Sequence, residues 1–328
     1  MTGDARAFWL AAPGMGEIRS QPVPNPAPGE VLVRTLHSAV SRGTETLVFR
    51  GGVPPSQHNL MRAPFQEGDF PAPVKYGYLN VGVVEQGPAG LRGRTVFCLY
   101  PHQTVYVVPA EAVTVVPDGV PARRAVLTGT VETAVNALWD AAPLIGDRIA
   151  VVGAGMVGCS VAAVLTRFPG ARVQLVDANS DRSAVAAALG VDFALPADAA
   201  GDCDVVVHAS ATSAGLTRAL ELLAPDATVV ELSWYGDRPV SVPLGEYFHS
   251  RRLTVRSSQV GAIAPARRDR RSHVDRRRVA LDLLTDPAFD ALITGECVFD
   301  DLPDVLPRLA DGSLPGMCHL VTYSSPGA

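Results

Sequence analysis

Gly153, Gly155 and Gly158 stand in the spacing Gly-x-Gly-x-x-Gly, within Val151-Val152-Gly153-Ala154-Gly155-Met156-Val157-Gly158. An apolar, β-like run precedes them and an alanine-rich, helix-like run follows, the context a pyrophosphate-binding turn requires. Gly153 permits the tight turn. Gly155 lets a phosphate approach backbone that carries no Cβ, and Gly158 lets the helix pack on the sheet. The free N–H groups of the helix's first turn, at Met156 and Val157, complete an anion site. The next apolar run ends at Asp177. A carboxylate there accepts hydrogen bonds from ribose hydroxyls and repels a 2′-phosphate, so NAD is expected rather than NADP. Arg182, five residues on in the sequence, softens that preference. His208-Ala209-Ser210 closes another strand-like run, and Ala209 and Ser210 are expected to touch the cofactor. The plainer reading is a glycine turn in an α/β domain beside an exposed acid. It leaves strand, glycines, helix and acid in register by coincidence.

These residues need a parallel sheet to hold them. Strand-like runs at 148–152, 173–176, 205–208 and 228–232 alternate with helix-like runs at 156–167, 181–189 and 213–223. That alternation predicts a doubly wound parallel sheet. Residues 122–142 read as a helix entering this domain. From residue 5 to about 117 the signals are β-like instead, with Glu30–Arg34, Val81–Glu85 and Thr104–Val108 bounded by Pro or Gly. Residues 50–75 hold five prolines and little periodicity, which predicts a long loop. The expected division is 1–121 with 288–328, and 122–287.

Composition sets outer limits. With 328 residues, 47% of them hydrophobic, the chain can bury two cores without disulfides. A net charge of −5 argues against nucleic acid as a partner. The five cysteines form no Cys-x-x-Cys pair and fit a reducing compartment. Residues 1–13 lack the basic and apolar regions of a signal peptide, so a cytoplasmic protein without membrane association is expected. The run Arg267–Arg278 holds seven arginines. A solvated helix face is the first reading, and an anionic substrate or partner is the alternative.

The chain resembles the medium-chain dehydrogenase/reductase superfamily, the zinc alcohol dehydrogenase relatives, over nearly its whole length. Pro28-Gly29-Glu30-Val31-Leu32-Val33, Gly43-Thr44-Glu45, Gly77-Tyr78-Leu79-Asn80-Val81-Gly82-Val83-Val84 and Gly146-Asp147-Arg148 carry the likeness. Ser41–Glu45 and His249–Leu253 look most like the branch containing the bacteriochlorophyllide dehydrogenases. The resemblance implies an α/β protein with a GroES-like β-barrel catalytic domain and a Rossmann domain. It further implies an active site in the cleft between them, and a homodimer. The departures bear on chemistry. The family's zinc cysteine falls on Arg42, its zinc histidine on Tyr78 and the following glutamate on Leu79. The third ligand falls on Thr128 or Gly129. Zinc takes thiolate, imidazole or carboxylate, and none of these positions offers one. The four-cysteine structural lobe is missing as well. A zinc-lacking, metal-free member is expected.

Without zinc, a donor or cation must stabilise the developing oxyanion and an acid must exchange the proton. The resemblance turns Tyr78 toward the cleft as that acid. Arg42 or Lys75 would lower its pKa, and Thr44 would match the family's relay hydroxyl. Against these stand a Tyr78 that merely packs and an Arg42 paired with Glu45. Glu132 either faces the nicotinamide or caps its helix. Tyr100, His102 and Trp234 are further candidates for the pocket wall. The expected reaction is hydride transfer between NAD(H) and a carbonyl/alcohol pair on a small organic substrate. The alternatives are NAD(P)H-dependent reduction of an enone or quinone, and a nucleotide-binding relative without turnover.

Overall fold

The computed structural model describes residues 4–324. The chain divides into two units, residues 1–129 with 293–328 and residues 130–292.

The second unit is a Rossmann domain. Its six parallel strands lie in the order Asp192–Ala194, Arg172–Val176, Arg148–Val152, Cys203–His208, Leu223–Glu231, Thr254–Ser257. The inner strands are runs of valine, isoleucine and leucine because helices cover both faces of such a sheet. Ala150, Val152, Val176, Val206, Leu220 and Val229 are buried together on one side. Strand order reverses between Arg148–Val152 and Cys203–His208, so the loops after these two strands open a crevice at their carboxyl ends. The outermost strands, Asp192–Ala194 and Thr254–Ser257, are additions to the sequence reading. They are three and four residues long and too exposed to show an apolar run.

The first unit is the GroES-like barrel domain. Its twelve-residue strand Glu30–Ser41 pairs antiparallel with Asn80–Gln86, Val105–Pro109 and Cys318–Thr322. Val31, Val33, Val84, Val96, Tyr106 and Val108 form the core beneath it. A second sheet joins Met15–Pro22, Asp4–Ala12, Val74–Lys75 and Glu67–Gly68. Residues 50–75 are therefore not all loop. They include a short helix, Pro55–Gln57, and two two-residue strands that knit the segment to Asp4–Ala12. The helix expected over 122–142 is two helices, Ala122–Ala125 and Thr128–Ala141. Among the described residues no helix is long and apolar enough to cross a membrane.

Candidate active site

Strand Arg148–Val152 delivers the glycine turn. Gly153 has φ +109°, which an L side chain rarely adopts, and its N–H donates to the Val176 carbonyl at 2.8 Å. A Cβ on Gly153 would lie 2.6 Å from Ser210 N, so the turn is pressed against the loop after the neighbouring strand. A Cβ on Gly158 would lie 1.9 Å from the Gly153 carbonyl oxygen, so helix Met156–Leu165 can pack on the turn only with glycine there. A Cβ on Gly155 would meet nothing within 4 Å. Gly155 caps the helix without a side-chain acceptor, leaving the N–H groups of Met156, Val157 and Gly158 directed outward. That is an open cradle of the kind a pyrophosphate fills.

Asp177 stands beside this cradle. Its Oδ2 accepts from Ala154 N at 2.6 Å and its Oδ1 from Asn179 N at 2.8 Å. Each carboxylate oxygen keeps a lone pair for a ribose hydroxyl. Arg182 opens the next helix, Arg182–Ala188, half-buried, and its charge is felt at Cys159 alongside that of Asp177. Ala209 N donates to the Val152 carbonyl at 2.8 Å, which puts residues 209 and 210 against the turn. The residues present thus fit a dinucleotide. Trp234 is half-buried in the segment after Leu223–Glu231.

In the barrel domain, strand Glu30–Ser41 runs directly into helix Arg42–Phe49 and so carries Ser38, Ser41, Arg42, Thr44 and Glu45 in succession. The Tyr78 phenol has the Ser41 and Thr44 side chains as hydrogen-bonding neighbours. Burial, then the Glu45 carboxylate, push its pKa up to about 12, and the two hydroxyls only partly offset this. Tyr76 meets it edge-on, with ring centroids 6.1 Å apart. Glu45, almost fully buried, accepts from Ser41 N at 2.7 Å, and its Oε2 lies 2.8 Å from His102 Nε2. His102 Nδ1 lies 2.7 Å from Ser38 Oγ, which lies 2.8 Å from the Tyr323 hydroxyl. His102 is the middle of a buried polar chain, the structural role more usual for a lone histidine. Tyr100 stacks on Tyr106 at 3.8 Å.

The expected cation beside Tyr78 is corrected. Arg42 Nε donates to the Leu309 carbonyl at 3.4 Å and Nη1 to that of Gly316 at 3.2 Å, so its charge serves the carboxyl end of helix Leu302–Asp311. It pairs with neither Tyr78 nor Glu45. Lys75, fully buried, is engaged by Glu67 and by Gln103 Oε1 at 2.7 Å, over the Tyr100 ring. Burial, and then the Glu45 carboxylate where a cation was expected, reverse the expected direction of its pKa.

Leu79 stands where the resemblance puts the glutamate that follows the zinc histidine. It is fully buried, and a Cβ on Gly129 would lie 2.6 Å from its Cδ2. Thr128 donates to the Ala125 carbonyl at 2.6 Å. These side chains offer zinc no ligand set. Glu132 neither caps nor is solvated: it is buried against Arg276, whose Nε donates to Oε1 at 3.1 Å. The arginine run is solvated at Arg267, Arg268, Arg270, Arg271 and Arg278, and the expectation is corrected at the other two. Arg276 and Arg277 are buried in helix His273–Leu283.

No family model matches the chain. Solved structures do. L-idonate 5-dehydrogenase of Escherichia coli K-12 aligns with a TM-score of 0.81 at 15% identity, over 98% of this chain and 99% of that one. 2R,3R-butanediol dehydrogenase of Bacillus subtilis aligns at 0.77 and 17%, over 98% and 100%. A protein of E. coli CFT073 described as a short-chain alcohol dehydrogenase, solved with NADH, aligns at 0.77 and 18%, over 98% and 99%. At these identities the likeness establishes the fold.

Proposed function

We propose that the protein is a zinc-independent, NAD(H)-dependent oxidoreductase of the medium-chain dehydrogenase/reductase type, acting on a carbonyl/alcohol pair of a small organic molecule. The observation that carries this is the open glycine cradle with Asp177 beside it at the strand-order reversal. Relatives in fold that act on alcohols, one of them holding NADH, support the reaction class. Bound NADH supplies the hydride. Gly153, Gly155, Gly158, Met156 and Val157 seat the pyrophosphate, and Asp177 takes the adenosine ribose.

Tyr78 donates the proton. A phenol held near 12 is fully protonated at neutral pH, so it can hydrogen-bond a substrate carbonyl and protonate the alkoxide that forms as hydride arrives. Thr44 and Ser41 then relay a proton from solvent water back to the phenolate, each hydroxyl accepting one proton as it passes one on. Arg42 acts only by anchoring helix Arg42–Phe49. A homodimer is part of the proposal.

Fluorescence titration with NADH tests the nucleotide site, and saturable binding is expected. NADH consumption over ketones, quinones and enones, with a chelator present, tests the chemistry. Turnover on a ketone is expected to survive chelation. Absence of saturation with either reduced nicotinamide cofactor overturns the assignment, and activity lost to chelation and restored by zinc overturns zinc independence.

A further inference from the structure

The carboxyl ends of Cys203–His208 and Leu223–Glu231 carry a polar network that phosphate binding does not itself require. His208 is fully buried and sits in register with Glu231. Its Nδ1 lies 2.7 Å from Glu231 Oε2 and its Nε2 2.7 Å from Ser210 Oγ. Ser210 Oγ lies 2.9 Å from Thr212 Oγ1, which accepts from Gly215 N at 3.0 Å. Glu231 also accepts from Ser233 N at 2.7 Å and from the Tyr235 hydroxyl at 3.0 Å. The groups facing His208 are therefore Glu231 and Tyr235 from one side and the start of helix Ser213–Leu222 from the other. Arg238 acts on this cluster through Tyr235.

Counting donors fixes the two ends of the chain. A carboxylate only accepts, so Nδ1 carries a hydrogen toward Glu231, and the Thr212 hydroxyl oxygen accepts from the Gly215 N–H. Ser210 Oγ bridges His208 Nε2 and the Thr212 hydroxyl. Between the two hydroxyls lies Ala211, at φ +52°, a left-handed conformation that a residue with a Cβ disfavours. Its N–H donates to Ser233 Oγ at 3.1 Å. The same segment presses on Gly153.

We infer that His208, fixed by Glu231, is a positioning residue for the nucleotide site: through Ser210 it holds residues 209–212 in the strained conformation that seats the glycine turn. This rests on the nucleotide reading above. Ser210 is not a nucleophile despite its His and Glu partners. Its hydroxyl is committed to His208, and its Oγ is tucked where a Cβ on Gly215 would come within 2.1 Å.

His208→Leu would strand a buried carboxylate, so Ser210→Ala is the informative change, read by NADH fluorescence titration. It weakens NADH binding by roughly fivefold, the worth of one hydrogen bond. Adding Ala211→Gly restores most of the loss, because glycine adopts the left-handed conformation freely. Ala211→Gly alone changes little, since the competent conformation is already filled. If the unsubstituted protein binds NADH and Ser210→Ala matches it, the positioning role is overturned alone. No binding by the unsubstituted protein overturns the nucleotide site and this inference with it.

Discussion

Tyr78 and Asp177 each combine one charge-bearing atom set with one structural duty, and substitutions can separate the two. Tyr78→Phe keeps the ring that meets Tyr76 and removes only the hydroxyl between Ser41 and Thr44. Turnover should fall at least ~100-fold, the low end for loss of a general acid, with NADH affinity unchanged. Steady-state rates with NADH titration on the same preparation check this, and equal turnover removes Tyr78 from the mechanism. Asp177→Asn keeps an acceptor for Ala154 N but removes the negative charge. The NADPH-to-NADH affinity ratio should then rise by about tenfold, equivalent to about 1.4 kcal/mol of relieved repulsion. A ratio that does not move would place the ribose elsewhere.

At the scale of elements, Arg276 joins pieces of the Rossmann domain that the sequence keeps far apart. Its guanidinium binds Glu132 and Asn136 on helix Thr128–Ala141 and the carbonyls of Val260 and Ala262, all but sealed from solvent. Arg276→Met should cost about 3–5 kcal/mol, because Glu132 is left buried without its counter-ion. Pairing it with Glu132→Leu should recover most of that loss. Urea denaturation at neutral pH measures both, and an Arg276→Met chain as stable as the parent would show the pair to be dispensable. This arrangement also marks what sequence could tell. The glycine turn, its flanking strand and helix, and Asp177 were legible because they are local and periodic. The arginine run was not, because Arg276 differs from Arg278 only in which face of one turn it occupies. Likewise, His208 closes a run of three valines and plainly needed a partner. Which partner depends on its register with Glu231, 23 residues away on a neighbouring strand. The electrostatic neighbour of Tyr78 was not legible either, since the direction of the Arg42 side chain is set by carbonyls at 309 and 316.

Across the whole molecule, phenols are the titratable groups that burial moves most consistently. Of the seven tyrosines, Tyr76, Tyr78, Tyr100, Tyr106, Tyr235 and Tyr323 are all pushed above their ordinary value, in each case first by burial. Glu45 adds to the rise at Tyr76, Tyr78 and Tyr323. A phenol whose folded pKa is raised binds its proton more tightly when folded. Its contribution is complete below the unfolded value of about 10 and is lost as pH climbs through the folded value. For Tyr78 that window runs from about 10 to about 12. The thiols of Cys159, Cys203, Cys297 and Cys318 are raised in the same way, so the stability curve should begin to fall near pH 9 and fall steeply above pH 10, where the phenols join them. Phenolate absorbance should lag the ordinary midpoint and then rise abruptly as the chain unfolds. Six phenols and four thiols bind their protons more tightly when folded, and the lowered Lys75 alone of the basic side chains in this range opposes them, so the slope is downward. Urea midpoints at pH 8 and pH 10.5, with phenolate absorbance followed alongside, make the measurement. Smooth ionisation of the tyrosines near pH 10 with no loss of stability would mean that the phenols reach water, and that the Tyr78 hydroxyl lacks the dry setting its proposed role depends on.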